Sequence, residues 1–238
     1  MTDNNPLSGR VALVTGASRG LGYATAKALA AAGAHVIITA RTRGGLEALD
    51  DEITTAGGSA TLVPMDLMGP DTVEKLAEAV QQRWGKLDIL VANAGALGKL
   101  MPAHQIPSKI WNEVLAVNLV APARLIRAFE PLLRKSDAGR AVFITTSESA
   151  KTRAYWAAYG ASKAGLEALV RSWADELTDS DLRVNLVDPG RMRTAMRTRA
   201  VPGEDPRTVP LPETGAPLIV ELSSPAETRH GEVVRTER

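Results

Sequence analysis

Side chains able to transfer protons are concentrated in the second half of the sequence. The segment FITTSES, residues 143–149, contains four hydroxyl groups, those of Thr145, Thr146, Ser147 and Ser149. Tyr159 follows ten residues later and Lys163 four residues beyond it, a spacing that places both side chains on one face of a helix. A phenol has an ordinary pKa of about 10, but a neighbouring ammonium group favours phenolate and suits it to acid–base chemistry. The same spacing is also typical of simple packing, in which the lysine stem covers apolar surface.

A glycine-rich segment, TGASRGLG at residues 15–22, stands where an apolar run gives way to a helical pattern. Its glycines permit a tight turn and close backbone approach, and the helix N-terminus offers unpaired N–H groups to a pyrophosphate. Because a strand precedes the turn and a helix follows it, we expect a dinucleotide-binding loop. The expected contact residues are Gly16, Ser18, Arg19, Gly20, Leu21 and Gly22.

The end of the second apolar run, IITARTR, bears on the choice of nicotinamide cofactor. An acidic residue there would bind the ribose hydroxyls of NAD and repel a phosphate, but the chain has Ala40 followed by Arg41. Arg41 and Arg19 can instead hold a 2′-phosphate, a task suited to guanidinium groups. We therefore favour NADP(H) as the cofactor. NAD(H) is the alternative if both arginines are only solvated surface residues.

Short apolar runs alternate with longer amphipathic stretches along most of the chain, a pattern typical of a parallel α/β sheet with crossover helices. The predicted strands are RVALVTG, AHVIITA, ATLVPMD, LDILVAN, RAVFITT and LRVNLVDPG, with an edge strand GEVVR near the end. The predicted helices span residues 21–32, 46–56, 71–84, 108–135, 159–177 and 214–222. Asp71 and Ser108 are the expected helix caps, and Gly33 the expected stop after the first helix. The proline-rich stretch 201–217 is predicted to be a loop.

The composition argues against several classes of function. Lys and Arg number 28 against 27 Asp and Glu, and the net charge of +1 points to neither nucleic acid nor a membrane surface. The absence of cysteine excludes disulfides, thiolate metal sites and a cysteine nucleophile, and three scattered histidines make a metal site unexpected. A polar N-terminus and the lack of a long apolar run predict a cytoplasmic protein.

Three motifs, in this order, carry a resemblance to a known family. The glycine loop has the spacing Gly-x-x-x-Gly-x-Gly, NAG follows at residues 93–95, and YGASK stands at residues 159–163. With them the chain resembles the short-chain dehydrogenase/reductase family from about residue 9 to residue 194, which leaves 195–238 as a substrate-side loop and C-terminal segment. The resemblance implies a single Rossmann-like, doubly wound domain over residues 1–238 that oxidises or reduces a small-molecule alcohol or carbonyl compound. It also implies a homodimer or homotetramer paired through the helices predicted at 108–135 and 159–177.

The resemblance also implies roles for individual residues. Tyr159 becomes the acid/base, Lys163 assists it and holds the nicotinamide ribose, and Asn118 places a water that relays protons to the lysine. Pro122 has no N–H to give to the carbonyl of Asn118, so we expect the helix to kink there. The further cofactor contacts implied are Asp66, Leu67, Asn93, Ala94, Gly95, Pro189, Gly190 and Thr194.

The identity of the catalytic hydroxyl depends on residue counts. In the family a serine precedes the tyrosine by thirteen residues, and this count reaches Thr146 here. Counting about seven residues forward from Gly139 reaches the same position. A threonine hydroxyl donates and accepts as that of serine does, although its methyl group narrows the pocket. Ser147 is the alternative if the loop that follows is one residue shorter than usual.

Three further questions have two answers each. The arginines after the last long strand form either a solvated rim or a site for an anionic substrate, and they are Arg191, Arg193, Arg197 and Arg199. Four residues either serve packing or a subunit contact or line the substrate site, namely Leu97, Leu100, Tyr155 and Trp156. A non-catalytic dinucleotide sensor on the same fold is the alternative function, and the retained Tyr159 and Lys163 argue against it. The sequence does not name the substrate.

Overall fold

The computed structural model describes residues 5–151 and 153–236, which form a seven-stranded parallel sheet with helices on both faces. The strands are β1 (Val11–Thr15), β2 (His35–Ala40), β3 (Ser59–Pro64), β4 (Ile89–Ala92), β5 (Arg140–Ile144), β6 (Arg183–Asp188) and β7 (Val233–Arg235). Their order across the sheet is β3-β2-β1-β4-β5-β6-β7, and every neighbouring pair is parallel. Because the strand order reverses beside β1, the carboxyl ends of β1 and β4 open a crevice. The predicted doubly wound α/β fold is confirmed, including the edge strand β7.

Within the described residues the connections contain eight α-helices. They are α1 (Gly20–Ala31), α2 (Arg43–Thr55), α3 (Thr72–Trp84), α4 (Ser108–Leu115), α5 (Ala121–Leu133), α6 (Ala157–Asp175), α7 (Ala195–Ala200) and α8 (Ala216–Leu222). Helix α7 is not among the predicted elements, because six residues are too few to display a helical period. None of the described helices is long and apolar enough to cross a membrane.

The predicted helix caps are only partly correct. Gly33 follows α1 with φ +98°, the left-handed conformation expected of a glycine stop. Asp71 occupies the N-cap position of α3, but its side chain makes no capping hydrogen bond. The prediction for Ser108 is wrong, because Pro107 is the N-cap residue and Ser108 is already helical. Pro107 has the extended backbone of an N-cap residue, with φ −62° and ψ 147°, so the helix begins without a capping hydroxyl.

The sheet separates two apolar cores, which explains the continuous apolar runs of its strands. Along β1, Val11 and Leu13 face the core that is closed by α3, α5 and α6. Ala12 and Val14 face the other core, which is closed by α1, α2 and α8. Side chains alternate between the faces of a strand, so a strand that is covered on both sides is apolar at most of its positions. The burial of all five residues of β1 follows from this arrangement.

The helix predicted over residues 108–135 is interrupted by one widened turn. Residues Ala116–Val120 form a π-helical turn between α4 and α5, and Asn118 lies in the middle of it. Pro122 cannot donate a hydrogen bond to the carbonyl of Asn118, so the regular pattern cannot pass through this point. The expected distortion at Asn118 is therefore present, in the form of a π turn. The prediction of one continuous helix over residues 108–135 is wrong, because this turn divides it into α4 and α5.

A buried arginine stabilises the side of the sheet opposite the crevice, at the amino ends of the strands. Arg140, at the start of β5, is only 4% exposed. Its guanidinium donates five hydrogen bonds, all to backbone carbonyls, on Gly139, Asp181, Ser224, Pro225 and Glu227. The last three carbonyls belong to the segment between α8 and β7, so this side chain ties the C-terminal segment to the centre of the sheet.

Candidate active site

A cleft of about 1480 Å³ opens at the carboxyl ends of the strands, where the topology predicts a crevice. Most of the residues singled out in the sequence line it, namely Gly16, Ser18, Arg19, Gly20, Leu21, Arg41, Asp66, Leu67, Asn93, Ala94, Gly95, Thr146, Ser147, Tyr159, Lys163, Pro189, Gly190 and Thr194. Two do not. Gly22 lies beneath the glycine loop, and Asn118 is fully buried behind the cleft wall.

The glycine loop is packed so tightly that side chains are excluded at two positions. A Cβ on Gly16, which has φ +68°, would lie 2.9 Å from Ala94 Cα. A Cβ on Gly22 would lie 2.3 Å from Asn93 Nδ2. That amide nitrogen donates to the carbonyls of Thr15 at 2.8 Å and Gly16 at 3.2 Å. Asn93 thus holds β1 and β4 together at the crevice.

The N-terminus of α1 is suited to an anion. Arg19 is the N-cap residue, its backbone is extended, and no side chain caps the helix there. The first N–H groups of α1 therefore face the cleft with the partial positive charge of the helix end. This uncapped end, with the backbone approach that the glycines allow, fits the pyrophosphate of a dinucleotide.

The far end of the cleft carries positive charge and no carboxylate at the tip of β2. Arg19 and Arg41 are both exposed there, and neither forms an ion pair within residues 5–151 and 153–236. Asp66 also lines this end, but its carboxylate closes a turn by accepting from the N–H of Met68 at 3.0 Å. The aspartate therefore has a local structural role in addition to the expected contact. The charges at this end suit a phosphate group.

Tyr159 and Lys163 project from α6 into the inner end of the cleft. Lys163 is 4% exposed and its Nζ donates to the carbonyl of Ile144 at 2.6 Å, at the end of β5. The ring of Tyr159 packs edge-on against Trp156, with 5.9 Å between centroids. Of the four candidates for the substrate wall, Trp156 and Leu97 line the cleft, whereas Tyr155 is 60% exposed and lies outside it, as does Leu100.

Burial moves the pKa values of this pair apart. Burial, together with the carboxylates of Asp188 and Glu148, raises the pKa of Tyr159 to about 12. Burial lowers the pKa of Lys163 to about 8, and the charge of Glu167 partly opposes that shift. The expected shift toward phenolate rests on the ammonium group of Lys163 and on a bound nicotinamide cation, and the protein's own groups do not produce it. At neutral pH the phenol of Tyr159 is protonated and the amine of Lys163, one helical turn away, is charged.

The four hydroxyls of the segment 143–149 divide into two pairs. Those of Thr145 and Ser149 donate to the carboxylate of Glu167, so they are engaged away from the cleft. Thr146 accepts a weak bond from the N–H of Glu148 at 3.4 Å, and Ser147 begins a short 3-10 turn. Neither Thr146 nor Ser147 donates its hydroxyl hydrogen to another group of the described chain. These two are therefore the hydroxyls able to serve a ligand, as the residue counts indicate.

Asn118 supports the site from behind. Its side-chain oxygen accepts from the N–H of Ala96 at 2.7 Å, and its nitrogen donates to the carbonyl of Ala96 and to Ser162 Oγ. All of this binds the loop after β4 to α6, next to Lys163. Both donors of the amide nitrogen are used and the side chain is fully buried, so contact with a ligand is expected from the backbone of the π turn.

The arginines beyond β6 hold the outer wall of the cleft together. Arg197 forms two hydrogen bonds of 2.6 Å with Glu204, and Arg191 approaches the same carboxylate at 3.6 Å. Arg199 donates across the cleft to the carbonyl of Gly98 at 3.0 Å. The two answers expected from sequence, a solvated rim or an anion site, both omit these internal contacts. Glu204, the partner of Arg197 and Arg191, lies in the proline-rich loop. No periodic pattern in the sequence links that loop to the two arginines.

Two carboxylates at the site, those of Glu148 and Asp188, have no signal in the sequence that could have identified them, because they reach Tyr159 only through the tertiary fold. Glu167 reaches Lys163 along α6, and its four-residue spacing from the lysine is a signal that the sequence reasoning missed. In the described part of the chain, no group of three or more His, Asp or Glu side chains could hold a metal ion.

Comparison with known proteins places this site in a family. The sequence profile of the short chain dehydrogenases matches residues 10–205. An uncharacterized oxidoreductase of Escherichia coli K12, YciK, is 37% identical over 219 residues, which cover 91% of this chain and 86% of the relative. The 3-oxoacyl-acyl-carrier-protein reductase FabG of the same strain is 35% identical over 193 residues, 81% of this chain and 77% of FabG.

A solved structure extends the similarity to the full length of the fold. A short chain dehydrogenase from Escherichia coli CFT073, complexed with NADPH, has a TM-score of 0.94 and 34% sequence identity. The match covers 99% of this chain and 100% of that one. With the profile match, the three motifs and the shared topology, the chain belongs to the short-chain dehydrogenase/reductase family of oxidoreductases.

Proposed function

We propose that the protein transfers a hydride between NADP(H) and a carbonyl or alcohol group of a small molecule, within one domain over residues 1–238. The observation that carries the proposal is the half-buried Tyr159 with the buried Lys163, which share their cleft with the hydroxyls of Thr146 and Ser147 and with an uncapped helix end behind a glycine loop. Proton transfer and dinucleotide binding are the two requirements of this chemistry, and one cleft offers groups for both.

When bound, the cofactor would supply or accept the hydride. The glycine loop and the N-terminus of α1 would hold its pyrophosphate, and Arg19 and Arg41 its 2′-phosphate. The other residues proposed to bind it are Asp66, Leu67, Asn93, Ala94, Gly95, Lys163, Pro189, Gly190 and Thr194. The relative of known structure that is complexed with NADPH supports the binding of NADP(H).

During reduction, Tyr159 would give its proton to the substrate oxygen, because its phenol keeps that proton well above neutral pH. Thr146 or Ser147 would donate a hydrogen bond to the same oxygen. Lys163, charged below a pKa of about 8, would offset the negative charge that develops on the phenol. The carbonyl of Asn118, which Pro122 cannot pair, would hold a water that returns protons toward Lys163.

The substrate class and the assembly are part of the proposal. The name of FabG gives one carbonyl class to test, the 3-oxoacyl thioesters. Pairing of two copies through α4, α5 and α6 would produce a homodimer or homotetramer, which sedimentation velocity would measure.

The central test is Tyr159→Phe, with Tyr155→Phe as a matched control on an exposed phenol outside the cleft. The unaltered chain is assayed by nicotinamide absorbance with NADPH or NADH and a panel of aldehydes, ketones and 3-oxoacyl thioesters. We expect Tyr159→Phe to lose turnover by roughly a thousandfold or more while NADPH affinity stays within about threefold, since general acid–base catalysis is the function removed. The control should behave like the unaltered chain.

Two results would contradict the proposal. Unchanged turnover in Tyr159→Phe would exclude this residue as the acid/base. Tight binding of NADPH with no turnover of any panel member would instead favour a dinucleotide sensor.

A further inference from the structure

A single carboxylate on α6 fastens both ends of the segment that carries the candidate hydroxyls. Glu167 Oε1 accepts a hydrogen bond from Thr145 Oγ1 at 2.7 Å and another from Ser149 Oγ. Thr146, Ser147 and Glu148 lie between these two points. The side chain of Glu167 is only 14% exposed, so water competes little for its bonds and their electrostatic strength is increased.

These bonds determine the direction in which the candidate hydroxyls point. Thr146 has an extended backbone, with φ −161° and ψ 152°, and successive side chains of an extended chain point to opposite sides. Holding Thr145 toward α6 therefore directs Thr146 away from Glu167. The hydroxyl oxygen of Ser149 also lies 2.6 Å from the carbonyl oxygen of Thr146, so its single hydrogen is shared between that carbonyl and Glu167 across the short turn on which Ser147 stands.

The same helix also carries the acid–base pair. Glu167 lies one helical turn beyond Lys163, so both side chains project from one face of α6. Lys163 binds the carbonyl of Ile144 and Glu167 binds the hydroxyl of Thr145, which are consecutive residues at the end of β5. Arg171, one turn further, lies 3.7 Å from the second oxygen of Glu167 and balances its charge. Glu167 thereby links the element that bears Tyr159 to the segment that bears the hydroxyls.

We propose that Glu167 is a positioning residue that sets the distance between the hydroxyl of Thr146 or Ser147 and the phenol of Tyr159. The inference rests on the proposed oxidoreductase function and adds a residue to it. Because the glycine loop and Arg41 lie on other elements, Glu167 should affect turnover and leave cofactor binding intact.

The test compares Glu167→Ala and Glu167→Gln with the control Glu176→Gln, which removes an exposed carboxylate just beyond the same helix. Each full-length variant is assayed with NADPH and the best carbonyl compound of the panel. We expect kcat of Glu167→Ala to fall roughly 10- to 100-fold, the cost of a small misplacement of reacting groups. Glu167→Gln keeps an acceptor oxygen and should retain more of kcat. The dissociation constant of NADPH and the melting temperature of Glu167→Gln should stay close to those of the unaltered chain.

Single and double substitutions separate positioning from general loss of structure. Ser149→Ala and Thr145→Val each remove one bond to Glu167, so each should lower kcat by less than Glu167→Ala does. Adding either to Glu167→Ala should cost little more, since groups that act as a unit are not additive. Additive losses, an unchanged kcat in Glu167→Ala, or a loss of NADPH affinity that parallels the loss of kcat would overturn the inference. A chain without turnover in its unaltered form would instead contradict the proposed function itself.

Discussion

Tyr159 and Lys163 illustrate how single residues are adjusted by their surroundings. Burial raises the pKa of the phenol to about 12 and lowers that of the amine to about 8, so Lys163 loses its proton first as the pH rises. Above pH 8 the phenol would remain protonated but lack its neighbouring positive charge. The combination of a protonated phenol and a charged Lys163 is therefore confined to neutral and acidic pH. A bound cofactor would shift the two pKa values from this starting point.

The first residue-scale prediction concerns Glu148, whose carboxylate helps raise the pKa of Tyr159. Glu148→Gln removes that charge, so the pKa should fall, by about one unit or less. Reduction needs the protonated phenol, so the fall in its kcat at alkaline pH should move to lower pH. Oxidation needs phenolate, so the rise in its kcat with increasing pH should also move to lower pH. The measurement is kcat against pH in both directions, with Glu113→Gln on the cleft rim as control; limbs that stay in place or move upward would refute it.

The second residue-scale prediction concerns cofactor choice. Arg41→Ala should weaken NADPH binding roughly 10- to 100-fold, the typical value of one or two charge-assisted hydrogen bonds, and leave NADH binding unchanged. Arg43→Ala is the matched control, because Arg43 pairs with Glu47 on the exposed side of α2. Fluorescence titration of both cofactors measures the effect. Equal losses for NADPH and NADH would contradict a 2′-phosphate site at Arg41.

At the scale of secondary structure, predictability followed the length of the pattern. All seven strands could be predicted, because the inner strands are continuous apolar runs and the partly buried edge strands β3 and β7 still contain short apolar runs. The π turn was partly predictable from Pro122, since a missing N–H is a local fact of the sequence. Helix α7 and the Arg197–Glu204 bonds were not, because the first is too short and the second depends on how a proline-rich loop folds back. The hydrogen bond from Thr145, at the end of β5, to Glu167 is likewise a tertiary contact that no periodic pattern in the sequence predicts.

The prediction at this scale uses the two prolines of α5. Pro122→Ala restores an N–H that can pair with the carbonyl of Asn118, so the π turn should tighten into a regular helix. We expect turnover to fall several-fold or more while the free energy of unfolding is unchanged or increased, since proline costs about 3 kcal/mol within a helix. Pro131→Ala, in the same helix but remote from the cleft, should raise stability without lowering turnover. Circular dichroism melts and kcat together decide the outcome, and identical kcat values for both variants would argue against a role for the π turn.

At the scale of the whole molecule, the two edges of the sheet have different tasks. The carboxyl edge carries the cleft and its titratable groups, whereas the amino edge carries bonds that only hold the chain together. Arg140 belongs to the second group, since its five carbonyl partners fix the segment between α8 and β7. Changes at this edge should therefore affect stability and spare chemistry.

Arg140→Lys tests this division of tasks. Lysine has one ammonium group in place of a five-donor fork, so several buried carbonyls would lose their partners. We expect a loss of about 2–4 kcal/mol in the free energy of unfolding, measured by denaturant titration, with kcat little changed. Arg134→Lys, in an exposed pair with Glu130, should cost well under 1 kcal/mol. A selective fall in kcat with stability preserved would be the opposite of what this arrangement requires.

The bridge from Arg199 to the carbonyl of Gly98 has a consequence for how this protein tolerates mutation. The acceptor is backbone, so no substitution can delete it directly. Gly98 has φ +70°, and a Cβ there would lie 2.6 Å from Val114, so any side chain at this position would displace the carbonyl that Arg199 uses. The connection across the cleft can thus be lost in two genetically separate ways, at residue 199 or at residue 98. Variation at residue 98 should therefore be restricted, although its own side chain has nothing to contribute.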